Sequence, residues 1–198
     1  MGLFPINADN WQEGVHLDEY TREMQAYQAD MLRRMDQVRL KPEEIIRLSQ
    51  VNRPIKIAGL CDDWCIDCLM TIPIMGQIAA AAPGMELRIF SRNKWPIMKE
   101  YYNQREVMAI PVFSFLDESY DEFARFIERP QSAHAKLAAW KAAHPEIEEI
   151  RRSFSLSSAE KKARLARIRV EMQSEMEGWY ADECQSGMVA EVAAILGI

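Results

Sequence analysis

The sequence has little with which to bind nucleic acid, cross a bilayer or hold a metal. Acidic residues outnumber basic ones by 30 to 24, for a net charge of −6 over 198 residues. A nucleic-acid protein needs a basic surface to neutralise phosphates, and this balance argues against one. No apolar run approaches the length of a membrane span. The opening Met1-Gly2-Leu3-Phe4-Pro5-Ile6-Asn7 has neither a basic stretch nor an apolar core, so it does not read as a secretory signal. Gly2 would suit myristoylation, but position 6 is Ile where Ser or Thr is wanted. The expected compartment is the cytoplasm. Low-complexity blocks and repeats at solenoid periods are missing too. The three histidines, His16, His134 and His144, lie far apart without ligand spacing, and only one CxxC occurs, so no metal site is expected.

What is there is ordinary in bulk and sharp in one place. Apolar residues make up 48% and charged residues 27%, as in a soluble globular protein long enough for one good-sized domain with decorations. Leu17, Tyr20, Met24, Tyr27, Met31, Met35 and Val38 fall at steps of three and four, one stripe on a helix. Pro42 with Glu43 and Glu44 opens a second, shorter helix. Arg53-Pro54 breaks the pattern. A buried strand is expected over 55–60, a helix over 65–82 closed by Pro83-Gly84, a strand over 86–91 and a short helix over 96–103. Strands over 112–116 and 120–127 flank the short turn Asp117-Glu118-Ser119, and a helix follows over 132–143. This order requires a parallel crossover and then an antiparallel hairpin, an α/β core with a mixed four-stranded sheet. Three parts are expected: a helical extension over 1–52, a core over 53–143 and a helical extension over 144–198. In the last part, Ser157 and Glu160 have capping-box spacing, and Leu165, Ile168, Met172, Met176 and Trp179 form one stripe. A final helix is expected from Asp182 to Leu196. The basic residues from Arg151 to Arg169 are interleaved with Glu and read as a solvated, ion-paired face.

The sharp feature is Trp64-Cys65-Ile66-Asp67-Cys68, directly after a strand and at the start of a helix. Two residues between thiols at a helix start bring both sulfurs within disulfide reach. The first sulfur then lies beside unpaired backbone N–H groups, which favour the reactive thiolate; the second, one turn in, is sheltered. In a reducing compartment such a pair points to chemistry rather than to a structural staple.

From about Arg53 to Ala143 the chain resembles thioredoxin. Trp64-Cys65-x-x-Cys68 matches that family's active-site motif, Pro73 its helix-kinking proline, and Ile110-Pro111 the cis-proline that lies against the dithiol. The Cys-x-Asp-Cys form, the N-terminal helices and Arg129-Pro130 after the hairpin are similar to a group of bacterial thioredoxin-like proteins with longer tails. The resemblance implies a thioredoxin fold: a central mixed four-stranded sheet flanked by helices, with helical extensions at both ends. It implies a thiol–disulfide oxidoreductase, a protein-disulfide reductase in which Cys65 attacks and Cys68 resolves. Trp64 would shield the loop, and the backbone of Ile110, before a cis Pro111, would pair with an extended substrate. Partners would be protein or small-molecule disulfides and an electron-donating reductase. No bound cofactor is required.

This chain also departs from the pattern. Ile66-Asp67 stands where many thioredoxins have Gly-Pro, and Gly59 where a buried Asp is common. Cys61 takes an aromatic's place, as a small buried hydrophobe or as a third thiol that traps or protects Cys65. Cys184 falls on an apolar helix side and reads as core. Asp62, Asp63 and Asp67 surround Cys65 with no cation between Cys61 and Cys68, which disfavours the thiolate and points to the reducing side. The rival reading is a non-catalytic redox-sensing or interaction module, whose long extensions could cover the site or make a homodimer. A peroxidase is weaker, since no Thr or Arg lies in the loop beside Cys65.

Overall fold

Short apolar runs punctuated by Pro and Gly become the strands that carry the site. Residues 3–181 and 183–198 are described in a computed structural model of the chain. The run Ile55–Cys61 forms β1, which pairs parallel with β2 (Met85–Ser91) and antiparallel with β3 (Val112–Leu116). Strand β3 in turn pairs antiparallel with β4 (Glu122–Ile127), giving the order β2-β1-β3-β4. As an inner strand, β1 is buried on both faces, which explains its nearly continuous apolar sequence. Parallel neighbours cannot be joined by a tight turn, and α4 (Ile66–Ala81) supplies the crossover. It carries Pro73 inside it and is buried almost all round. After β2 come α5 (Pro96–Asn103) and the hairpin of β3 and β4. This is the mixed-sheet α/β architecture that the resemblance implies.

The N-terminal segment joins this core. A single 3-10 turn at Trp11–Glu13 leads to Val15, which makes an antiparallel bridge to Ile89 with N···O distances of 3.0 and 2.8 Å. The bridge pairs Ile89 on the outer edge of β2, a place where its backbone would otherwise lack a strand partner. Gly14 makes the approach possible, because a Cβ there would lie 2.5 Å from the buried ring of Phe90.

The stripe expected to form one helix is split into α1 (Leu17–Glu23) and α2 (Gln28–Gln37). The break is held from outside. The backbone N–H groups of Gln25 and Ala26 donate to one carboxylate oxygen of Asp63, at 2.7 and 3.0 Å, and Tyr27 takes a left-handed φ of 56°. Periodicity survives the break: Tyr20, Met24, Met31 and Val38 are all buried. Helices α2 and α3 (Pro42–Leu48) pack on α4.

The chain forms two compact units. One comprises the residues up to Arg129 together with Met188–Ile198; the other is Pro130–Gly187. The second holds α6 (Gln131–Ala143), α7 (Glu146–Arg152) and α8 (Ser158–Trp179). The expected Ser157–Glu160 capping box opens α8. Helix α9 (Glu183–Leu196) begins in the second unit and ends in the first. Its expected start at Asp182, like Gly2, lies outside the described residues. Among the described residues no helix is long and apolar enough to cross a membrane.

Candidate functional site: a buried dithiol at the start of α4

The site follows from where β1 stops. The strand ends at Cys61, the chain turns through Asp62, Asp63 and Trp64, and Cys65 becomes the N-cap of α4. The turn is closed by the Cys65 N–H, which donates to the Asp62 carbonyl at 3.3 Å. An N-cap must satisfy a free amide of the first turn, and here the cap atom is sulfur. The N–H of Cys68 donates to Cys65 Sγ at 3.4 Å. The pairing of sulfur with the helix start expected from the spacing is therefore present.

All four cysteines are free thiols, and all are buried. Cys65 was expected to be the exposed member of the pair. It is 7% exposed and Cys68 1%, so the order holds but Cys65 too is sheltered. The single S–H of Cys65 faces both Cys68 and the Ile110 carbonyl oxygen, which lies 3.4 Å away. The hydrogen bond with Cys68, followed by burial, pushes the Cys65 thiol far above the usual thiol range; Asp67 adds to the rise, and the Cys68 amide opposes it. Burial likewise pushes Cys68 up. The thiolate at Cys65 is thus disfavoured, in the direction expected from sequence, although the leading causes are the paired thiol and burial rather than the carboxylates.

The peptide bond Ile110–Pro111 is cis, and both residues are buried against the dithiol side of β3. Trp64 is 44% exposed, a large aromatic on the surface beside the buried pair.

Each of the three acidic residues around Cys65 has its own partners. Asp62 is buried, which raises its carboxyl above the ordinary range; Ser91 Oγ donates to it at 3.2 Å, and the Trp64 side chain also hydrogen-bonds to it. Asp63 holds the break between α1 and α2. Asp67 meets Arg129 in a bidentate pair, Nε–Oδ1 2.8 Å and Nη2–Oδ2 2.6 Å. The absence of a cation between Cys61 and Cys68 therefore does not describe the site, because Arg129 arrives from beyond β4.

Two further residues escaped the sequence reading. Tyr20 was only a stripe member, yet it faces Cys61, Cys68, Asp62 and Asp63. Its buried hydroxyl has no hydrogen-bond partner among the described residues. Arg129 was read only as the residue before Pro130, and no local signal links it to a carboxylate 62 positions away. Cys61 lies beside Cys68, with which its side chain hydrogen-bonds. Gly59 has little room for a carboxylate: a Cβ would come within 3.1 Å of Ile89 Cδ1 and of the Phe113 ring. Cys184 is buried in the second unit, with Lys136 and Glu183 as charged neighbours. Among the described residues no cluster of His, Cys, Asp and Glu could hold a metal ion.

The fold agrees with comparisons to known proteins. A thioredoxin family model matches residues 14–143, and the chain belongs to the thioredoxin family. Two solved structures share the fold over nearly their whole length. A Pseudomonas aeruginosa protein of unknown function is 20% identical with a TM-score of 0.65, over 100% of this chain and 98% of that one. An HIV epitope-scaffold is 18% identical with a TM-score of 0.62, over 96% of each chain. No curated protein is similar enough in sequence to count as a match.

Proposed function

We propose that the chain is a thiol–disulfide oxidoreductase working on the reducing side, in the cytoplasm. The observation that carries this reading is Cys65 Sγ itself: it caps α4, contacts Cys68 and lies 3.4 Å from the carbonyl before a cis-proline. The Cys65 thiolate attacks one sulfur of a partner disulfide. That S–S bond breaks, the partner's other sulfur leaves as a thiolate, and a mixed disulfide forms. Cys68, its proton passing to the partner thiolate released in the first step, then attacks Cys65 Sγ. The Cys65–Cys68 bond forms, the second partner thiolate leaves, and two electrons have passed to the partner. A reductase returns them. The backbone of Ile110 receives the extended partner segment, and Trp64 borders it. A thiolate disfavoured in the reduced state makes the disulfide comparatively stable, which supports a reductant rather than a strong oxidant.

The test is trapping on Cys68→Ser. With the resolving thiol removed, the mixed disulfide on Cys65 should persist and its partners should be identifiable after reduction. Free thiols counted before and after mild oxidation should fall by the Cys65–Cys68 pair. If both cysteines stay free in a folded protein, the proposal fails.

A second reading, a redox-sensing module, draws on a different contact. Asp63, two residues before Cys65, holds the backbone of Gln25 and Ala26. A sensor would change the α1–α2 segment once per oxidation without turning over substrate. Hydrogen exchange at residues 24–27 in reduced and oxidised protein separates the two readings when set beside a turnover assay.

A further inference from the structure

The contact between Asp67 and Arg129 joins two segments that the exchange chemistry needs together. Asp67 stands between the cysteines, in the first turn of α4. Arg129 follows β4, and its side chain is 10% exposed against 14% for Asp67. The same guanidinium nitrogen that meets Asp67 Oδ2 also meets Glu128 Oε1 at 2.6 Å. The backbone here is tied to the proline segment: Glu128, with a left-handed φ of 62°, donates its N–H to the Pro111 carbonyl at 2.7 Å. The circuit closes at Cys65 Sγ, against the carbonyl of Ile110. Dithiol, proline segment, β4 exit and first helical turn thus form one ring of contacts, and the Asp67–Arg129 fork is its side-chain link.

We propose that Arg129 is the positioning residue of the dithiol: its guanidinium offsets part of the charge that Asp67 presents to Cys65 and fastens the first turn of α4 to the segment beside Pro111. This rests on the exchange function proposed above and adds the residue that regulates its nucleophile. The physical case is charge and geometry. A carboxylate in the turn that carries Cys65 opposes formation of the thiolate. A planar guanidinium in two parallel contacts is the partner that best neutralises it, and burial keeps water from screening the pair. The other groups around the dithiol are accounted for. Asp62 and Asp63 come from the preceding loop with their own partners, and Arg92 lies near Asp62. Glu128 shares the guanidinium, Cys68 faces Cys65 from α4, and Tyr20 faces Cys61 and Cys68.

The experiment compares the pH profile of Cys65 alkylation in the full-length reduced protein, read by mass spectrometry of the Cys65 peptide. The variants are Arg129→Met, Arg129→Lys, Asp67→Asn and the double variant Asp67→Asn/Arg129→Met. Arg129→Met should move the profile to higher pH and slow alkylation at neutral pH by roughly three- to tenfold. Asp67→Asn, which leaves the guanidinium behind, should move it to lower pH. The double variant should return close to wild type, because both charges are gone. Arg129→Lys should keep most of the wild-type profile, since it retains the charge. Should Arg129→Met fail to fold, Asp67→Asn and the double variant still decide the matter, for they must differ. An unchanged profile in Asp67→Asn, or one shared by it and the double variant, overturns the proposal. These profiles belong to the reduced thiol. A protein that orders them as stated yet never forms the Cys65–Cys68 disulfide would retain Arg129's role and lose the exchange function.

Discussion

Helices α4 and α8 are the longest in the chain, at 16 and 22 residues, and they are held by opposite means. Helix α4 is buried on nearly every side, from Ile66 and Leu69 to Met75 and Ile78. Helix α8 buries only Met176; the other members of its expected stripe, Leu165, Ile168, Met172 and Trp179, are half-buried. What opens α8 is local: Ser157 accepts the Glu160 N–H at 3.2 Å, while the Glu160 carboxylate accepts the Ser157 N–H at 2.9 Å. The first unit therefore draws its order from burial, and α8 in the second leans on caps and helix propensity. The dithiol sits in the first, where the surroundings are close-packed.

The sharpest way to break this comparison is to remove one thiol from each unit. Cys65→Ser should abolish reduction of a disulfide substrate, and Cys184→Ser should leave the rate unchanged. Loss of activity in the Cys184 variant with its fold intact would mean that the second unit takes part in the chemistry. Next come paired truncations. Leu69→Ala in α4 should cost about 2–5 kcal/mol in denaturant unfolding, because a fully buried side chain leaves a cavity. Leu165→Ala in α8 should cost under about 1 kcal/mol. Equal costs would refute the contrast between the helices.

The effect of pH sharpens it further. Cys65 and Cys68 hold their protons in the folded protein to higher pH than in the unfolded chain, whose thiols titrate near about 8.5. Above that pH the unfolded chain binds fewer protons, so stability declines as pH rises. Tyr20 and Tyr102, both raised by burial, extend the decline above about pH 10. Their contribution is complete below the unfolded pKa and is lost above it. Reduced protein should therefore lose melting temperature steadily on the alkaline side, and protein with a Cys65–Cys68 disulfide should lose less near pH 9. Identical pH profiles for the two forms would show that the thiols do not carry the effect. The smallest expected change is Ser157→Ala, about 1 kcal/mol, visible as faster amide exchange in the first turn of α8 rather than as a lower global midpoint.

Much of the site was legible because its signals are local. A strand ended by polar residues, a dithiol at helix-start spacing, and Pro or Gly at the element boundaries are all decided by near neighbours. The limits of β2, β3, α5 and α6 accordingly lie within a residue or so of those expected. The single helix expected from Leu17 failed for the opposite reason. Its apolar spacing is sound, but the donors at Gln25 and Ala26 find a better acceptor in Asp63, nearly forty residues away.

The sequence alone determined the fold class and the cysteine pair, because apolar periodicity and the Cys-x-x-Cys spacing act over a few residues of backbone. Only the tertiary structure decided the electrical setting of that pair. Three carboxylates read along the chain predict unopposed negative charge around Cys65. In space, one is buried and hydrogen-bonded, one caps a helix break and one is matched by Arg129. Coulomb interactions depend on distance and burial, and neither follows from separation along the sequence.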